Sequence, residues 1–246
     1  MTAEPIVVIH PDKQTLSDAI GARLVGAILD GQARSPEAQL ALTGGSLGSA
    51  IIASLAQVPG RHAVDWERVR VWWGDERYLP SGDPDRNDTQ NDQAGLSQLG
   101  LDEAKVHRVP GPDTSVSAEA SAESYGQTIR EHGQGAFDVV VLGVGPDGHV
   151  ASLFPHHEAQ RVTDAVAVAV HDSPKPPPDR VSLTFDSLAH AREVWFIVAG
   201  PDKATAVAAA LDPAADRWDV PASGPKGTEA TRWLIDAAAA AQLPRG

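Results

Sequence analysis

The segment Gly-Val-Gly-Pro-Asp-Gly-His that begins at Gly143 sets a carboxylate, Asp147, two positions from an imidazole, His149. A histidine takes a proton from water near neutral pH, and a nearby carboxylate orients the ring and stabilises its charged form. The pair therefore suits general base chemistry, and the interleaved glycines let the backbone approach whatever occupies the crevice. The same residues also make an ordinary turn, with Asp147 closing Pro-Asp-Gly and His149 capping the next segment. His156 and His157 follow directly. Adjacent side chains diverge and no H-E-x-x-H spacing is present, so a metal centre is the lesser reading.

Three further segments carry residues of chemical interest. Leu-Thr-Gly-Gly-Ser from Leu42 ends an apolar run in Gly44, Gly45 and Ser46. Glycines followed by a helix N-terminus favour an anion, although Gly-Gly-Ser is also a routine turn. The run Trp-Trp-Gly-Asp-Glu-Arg from Trp72 places Asp75, Glu76 and Arg77 after another apolar run, with Arg86 and Asn87 shortly beyond, near the edge of the same presumed site. Local ion pairing in a solvated loop is the bland alternative. Arg180 follows a proline-rich loop that holds Lys175, and Lys203 follows Ala-Gly-Pro-Asp. Arginine offers a phosphate a bidentate fork and lysine a point charge, but each taken singly reads as a surface charge. No G-x-S-x-G elbow is present for a serine hydrolase, and the glycines lack dinucleotide-binding spacing.

For these residues to converge, the elements before them must end at one edge. Apolar β-rich runs predict strands over 5–9, 39–42, 69–73, 137–144, 165–170, 181–185, 194–199 and 231–235. Helical patterns lie between them: one from an Asp12 N-cap to a stop at Gly31, then 46–57, 88–99, 117–131, 202–211 and 236–242. Repeated strand–helix alternation predicts an α/β fold of three layers, a mostly parallel sheet with helices on both faces. The 137–144 run is apolar at nearly every position, as a central strand buried on both sides requires. In such sheets ligands bind beyond the carboxyl ends of the strands, where all four segments fall.

The chain has 246 residues, 42% of them hydrophobic, with a formal net charge of −13. That supports a real core in one domain over 1–246, and it disfavours nucleic acid and anionic membranes as partners. With no cysteine, disulfides, thiolate catalysis and Cys-ligated metals are excluded. No signal peptide is legible at the N-terminus, and the longest apolar runs fall far short of the roughly 20 residues of a spanning helix. A cytoplasmic protein is expected.

In this order the four segments resemble the glucosamine-6-phosphate isomerase/6-phosphogluconolactonase family, over motifs from about Leu42 to Lys203. The continuation Ala-Ser-Leu-Phe-Pro at 151–155 is similar to the lactonases, whereas the deaminases continue Ala-Phe-Asn-Glu-Pro. Thr43 and Arg86 stand where many members carry serine. The resemblance implies a modified Rossmann-like fold and hydrolysis of 6-phospho-D-glucono-1,5-lactone without metal or organic cofactor. It casts His149, oriented by Asp147, as general base and Arg77, or backbone amides near it, as oxyanion partner. Gly44, Gly45 and Ser46, with Arg180 and Lys203, would hold the phosphate. Asp75 and Asn87 would meet sugar hydroxyls or position Arg77. The expected partner is the small sugar-phosphate lactone, and the expected state a monomer or small homo-oligomer. The rivals are a deaminase-type isomerase and a noncatalytic sugar-phosphate sensor.

Overall fold

The computed structural model describes residues 4–133 and 135–244. Six strands form a parallel sheet: β1 (Ile6–His10), β2 (Ala38–Leu42), β3 (Val69–Trp73), β5 (Val139–Gly143), β8 (Glu193–Val198) and β9 (Ala230–Asp236), in the order β1-β9-β8-β5-β2-β3. The helices are α1 (Lys13–Arg34), α2 (Gly45–Leu55), α3 (Asn87–Gln93), α4 (Ala118–His132), α5 (Phe185–Ala189) and α6 (Ala204–Ala210).

Strand periodicity sorts the core into two layers. Along β5, Val140 and Leu142 join one apolar cluster with Trp72, Tyr125, Phe196 and Trp233. Val139 and Val141 join the other, with Leu16, Leu24, Ile52, Trp73 and Trp195. Successive side chains point to opposite faces, so a strand apolar at every position serves both layers, as the 137–144 run predicts.

Four local expectations are corrected. Helix α1 is capped as predicted, Asp12 accepting from the Thr15 amide at 2.8 Å, but it runs through Gly31 to Arg34. Gly31 is there for close approach: a β-carbon would stand 2.9 Å from Asp138 Oδ2 and 3.0 Å from Ala38. The helix expected over 88–99 stops at Gln93, because Gly95 takes φ +116°, outside the helical region. The stretch 236–242 forms turns, not a helix; the Asp236 carboxylate accepts from the Ala239 amide at 2.7 Å and from Gly200, and Pro244 follows closely. Finally, the runs near 165–170 and 181–185 leave the parallel sheet. They become β6 (Ala167–Val170) and β7 (Arg180–Leu183), which pair antiparallel with each other, and β7 pairs with β4 (Asp75–Arg77).

Gly74 joins the two sheets. Its amide donates to Leu42 O at 2.9 Å in the parallel sheet, and its carbonyl accepts from Leu183 N at 2.8 Å in the antiparallel one. The chain thus turns at Gly74 and carries Asp75–Arg77 over the ends of β2 and β5. Those two strands are neighbours whose chains then leave in opposite directions, β2 toward β3 and β5 toward β8. A crevice opens at such a divergence.

Candidate active site

A cavity of about 350 Å³ lies at this divergence, lined by Thr43, Gly44 and Gly45 after β2, Asp75 and Arg77 on β4, and Asn87 on α3. From the other side come Gly145, His149, Lys175, Arg180 and Lys203. Of the ten residues to which the resemblance gave a role, Asp147 and Ser46 are absent from the lining. Asp147 stands behind His149, its Oδ1 2.5 Å from the ring Nδ1. Ser46 has its hydroxyl taken by Lys13 at 3.1 Å, and Thr43 faces the cavity in its place.

Gly145 makes the Asp147–His149 contact possible. A β-carbon there would fall 2.0 Å from His149 Nδ1 and 2.3 Å from Asp147 Oδ1, so only glycine allows both side chains to fold back over the turn. The Phe154 ring backs the imidazole, centroids 4.6 Å apart. Burial works to raise the Asp147 pKa, but the His149 hydrogen bond and the His149 and Lys175 charges outweigh it and hold the carboxyl well below its usual range. An ionised Asp147 can only accept, so it favours the tautomer in which Nδ1–H donates to it and Nε2 is left to accept a proton.

Asp75 is buried by a polar network. Its Oδ2 accepts from Ser152 Oγ at 2.7 Å, and Asn87 Nδ2 donates to its backbone carbonyl at 2.8 Å. Asn87 in turn lies against Gly44, where a β-carbon would meet its Oδ1 at 2.0 Å. The Gly45 amide already donates to Gln90 Oε1 at 3.1 Å. The Arg77 guanidinium donates to the Asp85 carbonyl and not to the Asp75 or Glu76 carboxylate, and its buried Nε has no partner among the described residues.

Arg180 is nearly buried and braces the proline-rich loop, donating to the carbonyls of Pro177 at 3.2 Å, Lys175 at 3.0 Å and Pro176 at 3.2 Å. Burial pushes its pKa down, Asp75 opposes that, and Arg77 adds to it. His171 ties the loop's base by contacts of 2.7 Å to both Asp179 and Glu119 on α4, and those hydrogen bonds raise its pKa. Lys175, read from the sequence only as a loop cation, stands 3.4 Å from Asp147 Oδ1 and 3.2 Å from His149 Nδ1. Lys203 lines the cavity with Asp202 beside it at 3.5 Å.

One placement expected from the sequence is corrected, and one expected divergence is seen. Arg86 is not at the cavity edge; it is buried and paired with Asp88 at 2.7 Å. His156 and His157 diverge as adjacent residues must, His156 toward Asp219 at 3.5 Å and His157 toward the His171 carbonyl at 2.9 Å. Ser152, Ser182 and Lys175 are the site residues that sequence reasoning did not assign. The Ser152 amide donates to Ser182 Oγ at 3.2 Å, which ties β7 to the network around Asp75.

The family model described as glucosamine-6-phosphate isomerases/6-phosphogluconolactonase matches residues 11–233. A relative from Streptomyces coelicolor named 6-phosphogluconolactonase is 47% identical over 254 residues, covering 100% of this chain and 97% of its own length. The solved 6-phosphogluconolactonase of Trypanosoma brucei superposes with a TM-score of 0.84 at 28% identity, covering 98% of this chain and 99% of that one. A monomeric glucosamine-6-phosphate deaminase, 19% identical, superposes with a TM-score of 0.80 over 96% of this chain and 99% of its own, a likeness of fold alone. By the extent of the family match and the full-length relative, the chain belongs to the glucosamine-6-phosphate isomerase/6-phosphogluconolactonase family.

Proposed function

We propose that this chain hydrolyses 6-phospho-D-glucono-1,5-lactone to 6-phosphogluconate, the lactonase step of the oxidative pentose phosphate pathway. It does so as a single cytoplasmic domain, monomeric or a small homo-oligomer, without metal or organic cofactor. The relatives named 6-phosphogluconolactonase support this substrate. The observation that carries the chemistry is the 2.5 Å contact from Asp147 to His149, a ring that lines a cavity shared with Arg77, Lys175, Arg180 and Lys203.

His149 Nε2 takes a proton from water as its oxygen attacks the lactone carbonyl. The negative charge that develops on the carbonyl oxygen is met by Arg77, which lines the cavity, or by backbone amides near it. When the tetrahedral intermediate collapses, the bond from the carbonyl carbon to the ring oxygen breaks. His149 returns the proton to that oxygen, leaving the acid and a free hydroxyl. Arg180 and Lys203 neutralise the 6-phosphate beside the Gly44–Gly45 turn and the nearby Ser46, while Asp75 and Asn87 hold sugar hydroxyls or the backbone of Arg77. The lactone opens slowly in water unaided, so base catalysis and positioning suffice and no covalent nucleophile is needed.

Offering the enzyme fresh 6-phosphogluconolactone and glucosamine 6-phosphate in parallel tests the reading. Acid production from the first, with no ammonia from the second, is expected; ammonia release would reverse the assignment.

Two variants probe the parts. Gly145→Ala forces a methyl against both members of the pair, so kcat should fall by about 10²-fold with an unchanged circular dichroism spectrum. Full activity would show that the close approach is dispensable. Arg180→Ala should raise KM for the phosphorylated lactone about tenfold more than for D-glucono-1,5-lactone. Equal losses on both substrates would limit Arg180 to bracing the loop.

A further inference from the structure

Lys175 is set apart from the other cations of the cavity by what it touches. Arg180 is engaged by three loop carbonyls, Arg77 by Asp85, and Lys203 has Asp202 beside it. The Lys175 ammonium instead rests on the acid–base pair, 3.4 Å from Asp147 Oδ1 and 3.2 Å from His149 Nδ1. One carboxylate oxygen therefore faces two donors. Lys175 and the His149 ring thus compete for the same oxygen, which loosens the hold of Asp147 on the ring. The resting arrangement restrains the base.

The surroundings favour moving that ammonium. Burial lowers the Lys175 pKa; Asp147 works against this, and the Lys203 and Arg180 charges reinforce it. The uncharged Phe154 ring packs on the imidazole, and Asp75 and Arg77 line the same cavity. A dianion beside Lys203 and Arg180 would be a stronger partner for the ammonium than a carboxylate it shares with His149. The backbone need not follow, because Arg180 holds the Lys175 carbonyl at 3.0 Å and Ser173 Oγ donates to it at 2.9 Å. A lysine side chain can swing on its own flexible stem.

We propose that Lys175 is a specificity-determining residue: it rests on the Asp147–His149 pair and is drawn off by the substrate's phosphate, so the pair reaches full strength as a base only when a phosphate occupies the cavity. The inference rests on lactone hydrolysis at His149. It converts phosphate binding, remote from the reacting carbonyl, into catalytic rate, and so discriminates in kcat as well as in affinity.

The test separates the phosphate from the lactone. Hydrolysis of D-glucono-1,5-lactone is measured with and without phosphite dianion, in the wild type and in Lys175→Met and Lys175→Arg. Phosphite should raise wild-type kcat/KM about tenfold, in the range usual for coupled sites. Lys175→Met should hydrolyse the unphosphorylated lactone about tenfold faster than wild type without phosphite, and phosphite should add less than about twofold. Lys175→Arg should keep the activation. An unresponsive wild type, a Met variant activated as fully as wild type, or a Met variant slower than wild type without phosphite would each overturn the proposal. Wild-type turnover of the 6-phospholactone in the same buffer distinguishes the failures. Without that turnover the lactonase reading falls and takes the inference with it; with it, a negative phosphite result counts against Lys175 alone.

Discussion

Replacing His149 with alanine or asparagine is expected to lower kcat for 6-phosphogluconolactone by ~10²–10⁴, the usual worth of a positioned base. Neither replacement accepts a proton near neutral pH, and Asp147 stands behind the ring, outside the cavity lining. Binding of 6-phosphogluconate should change little, by about threefold at most, because the cations that meet its phosphate come from other elements. Calorimetric titration with the product, set beside turnover corrected for spontaneous hydrolysis, separates the two effects. A variant with near-wild-type kcat would remove His149 from the mechanism. Asp147 should keep its charge over the neutral and mildly acidic range, since its carboxyl is held low. Its loss as an acceptor therefore does not limit activity there.

The second large effect concerns stability. Arg86→Ala should destabilise the fold by about 3–5 kcal/mol, because it strips a buried charge cluster of its cation. Arg86 is 1% exposed; its Nε and a terminal nitrogen grip Asp88 at 2.9 and 2.7 Å. It also donates to the Leu79 carbonyl at 2.9 Å and the Val109 carbonyl at 2.7 Å, and stands 3.9 Å from Glu76. Burial and the Asp88 charge push the Glu76 pKa upward, against the pull of Arg86 and of backbone amides. Without Arg86, two buried carboxylates face each other and two carbonyls lose their donors. A urea midpoint lowered at constant m-value would show the loss; stability within about 0.5 kcal/mol of wild type would contradict it. Activity should suffer as well, since Glu76 accepts from the amides of Arg77 at 2.8 Å and Asn87 at 2.7 Å and so shapes the backbone of two cavity residues.

The same cluster marks where sequence reasoning stops. Asp75, Arg77 and Asn87 were placed near the site by their position after a strand, and all three line the cavity. Arg86 sits one residue from Asn87 and looked equivalent, yet it points into the interior. A charge run does not tell which members solvent will see, because burial of a charge depends on partners such as the Val109 carbonyl 23 residues away. Distance along the chain hides Lys175 for the same reason, 26 residues from His149 and in contact with it only once β7 and the proline-rich loop are placed. Ser152 and Asp75, 77 residues apart, are further still.

Local chemistry was legible where a single stretch carried it. The uniformly apolar run before Gly143 showed a strand buried on both faces, and Asp12 showed the start of α1. The Gly-x-Asp-Gly-His turn held both members of its pair and the glycine that lets them meet. The division into two sheets was not legible, since β6 and β7 carry the same β-rich residue types as the parallel strands. Their separation depends on the turn at Gly74, which the sequence alone marks only as one more glycine. The alanines after Asp236 misled for a related reason. Helix propensity is weak over so short a span, and the Asp236 carboxylate serves a turn instead.

Opening of a phosphorylated lactone with His149 as base can be followed through the disappearance of 6-phosphogluconolactone freshly made by glucose-6-phosphate dehydrogenase, with wild type, His149→Ala and no enzyme side by side. Fast, enzyme-dependent hydrolysis is expected of the wild type, and a rate close to the spontaneous one of the variant. A wild type no faster than buffer, or a variant as fast as the wild type, would overturn the proposed function.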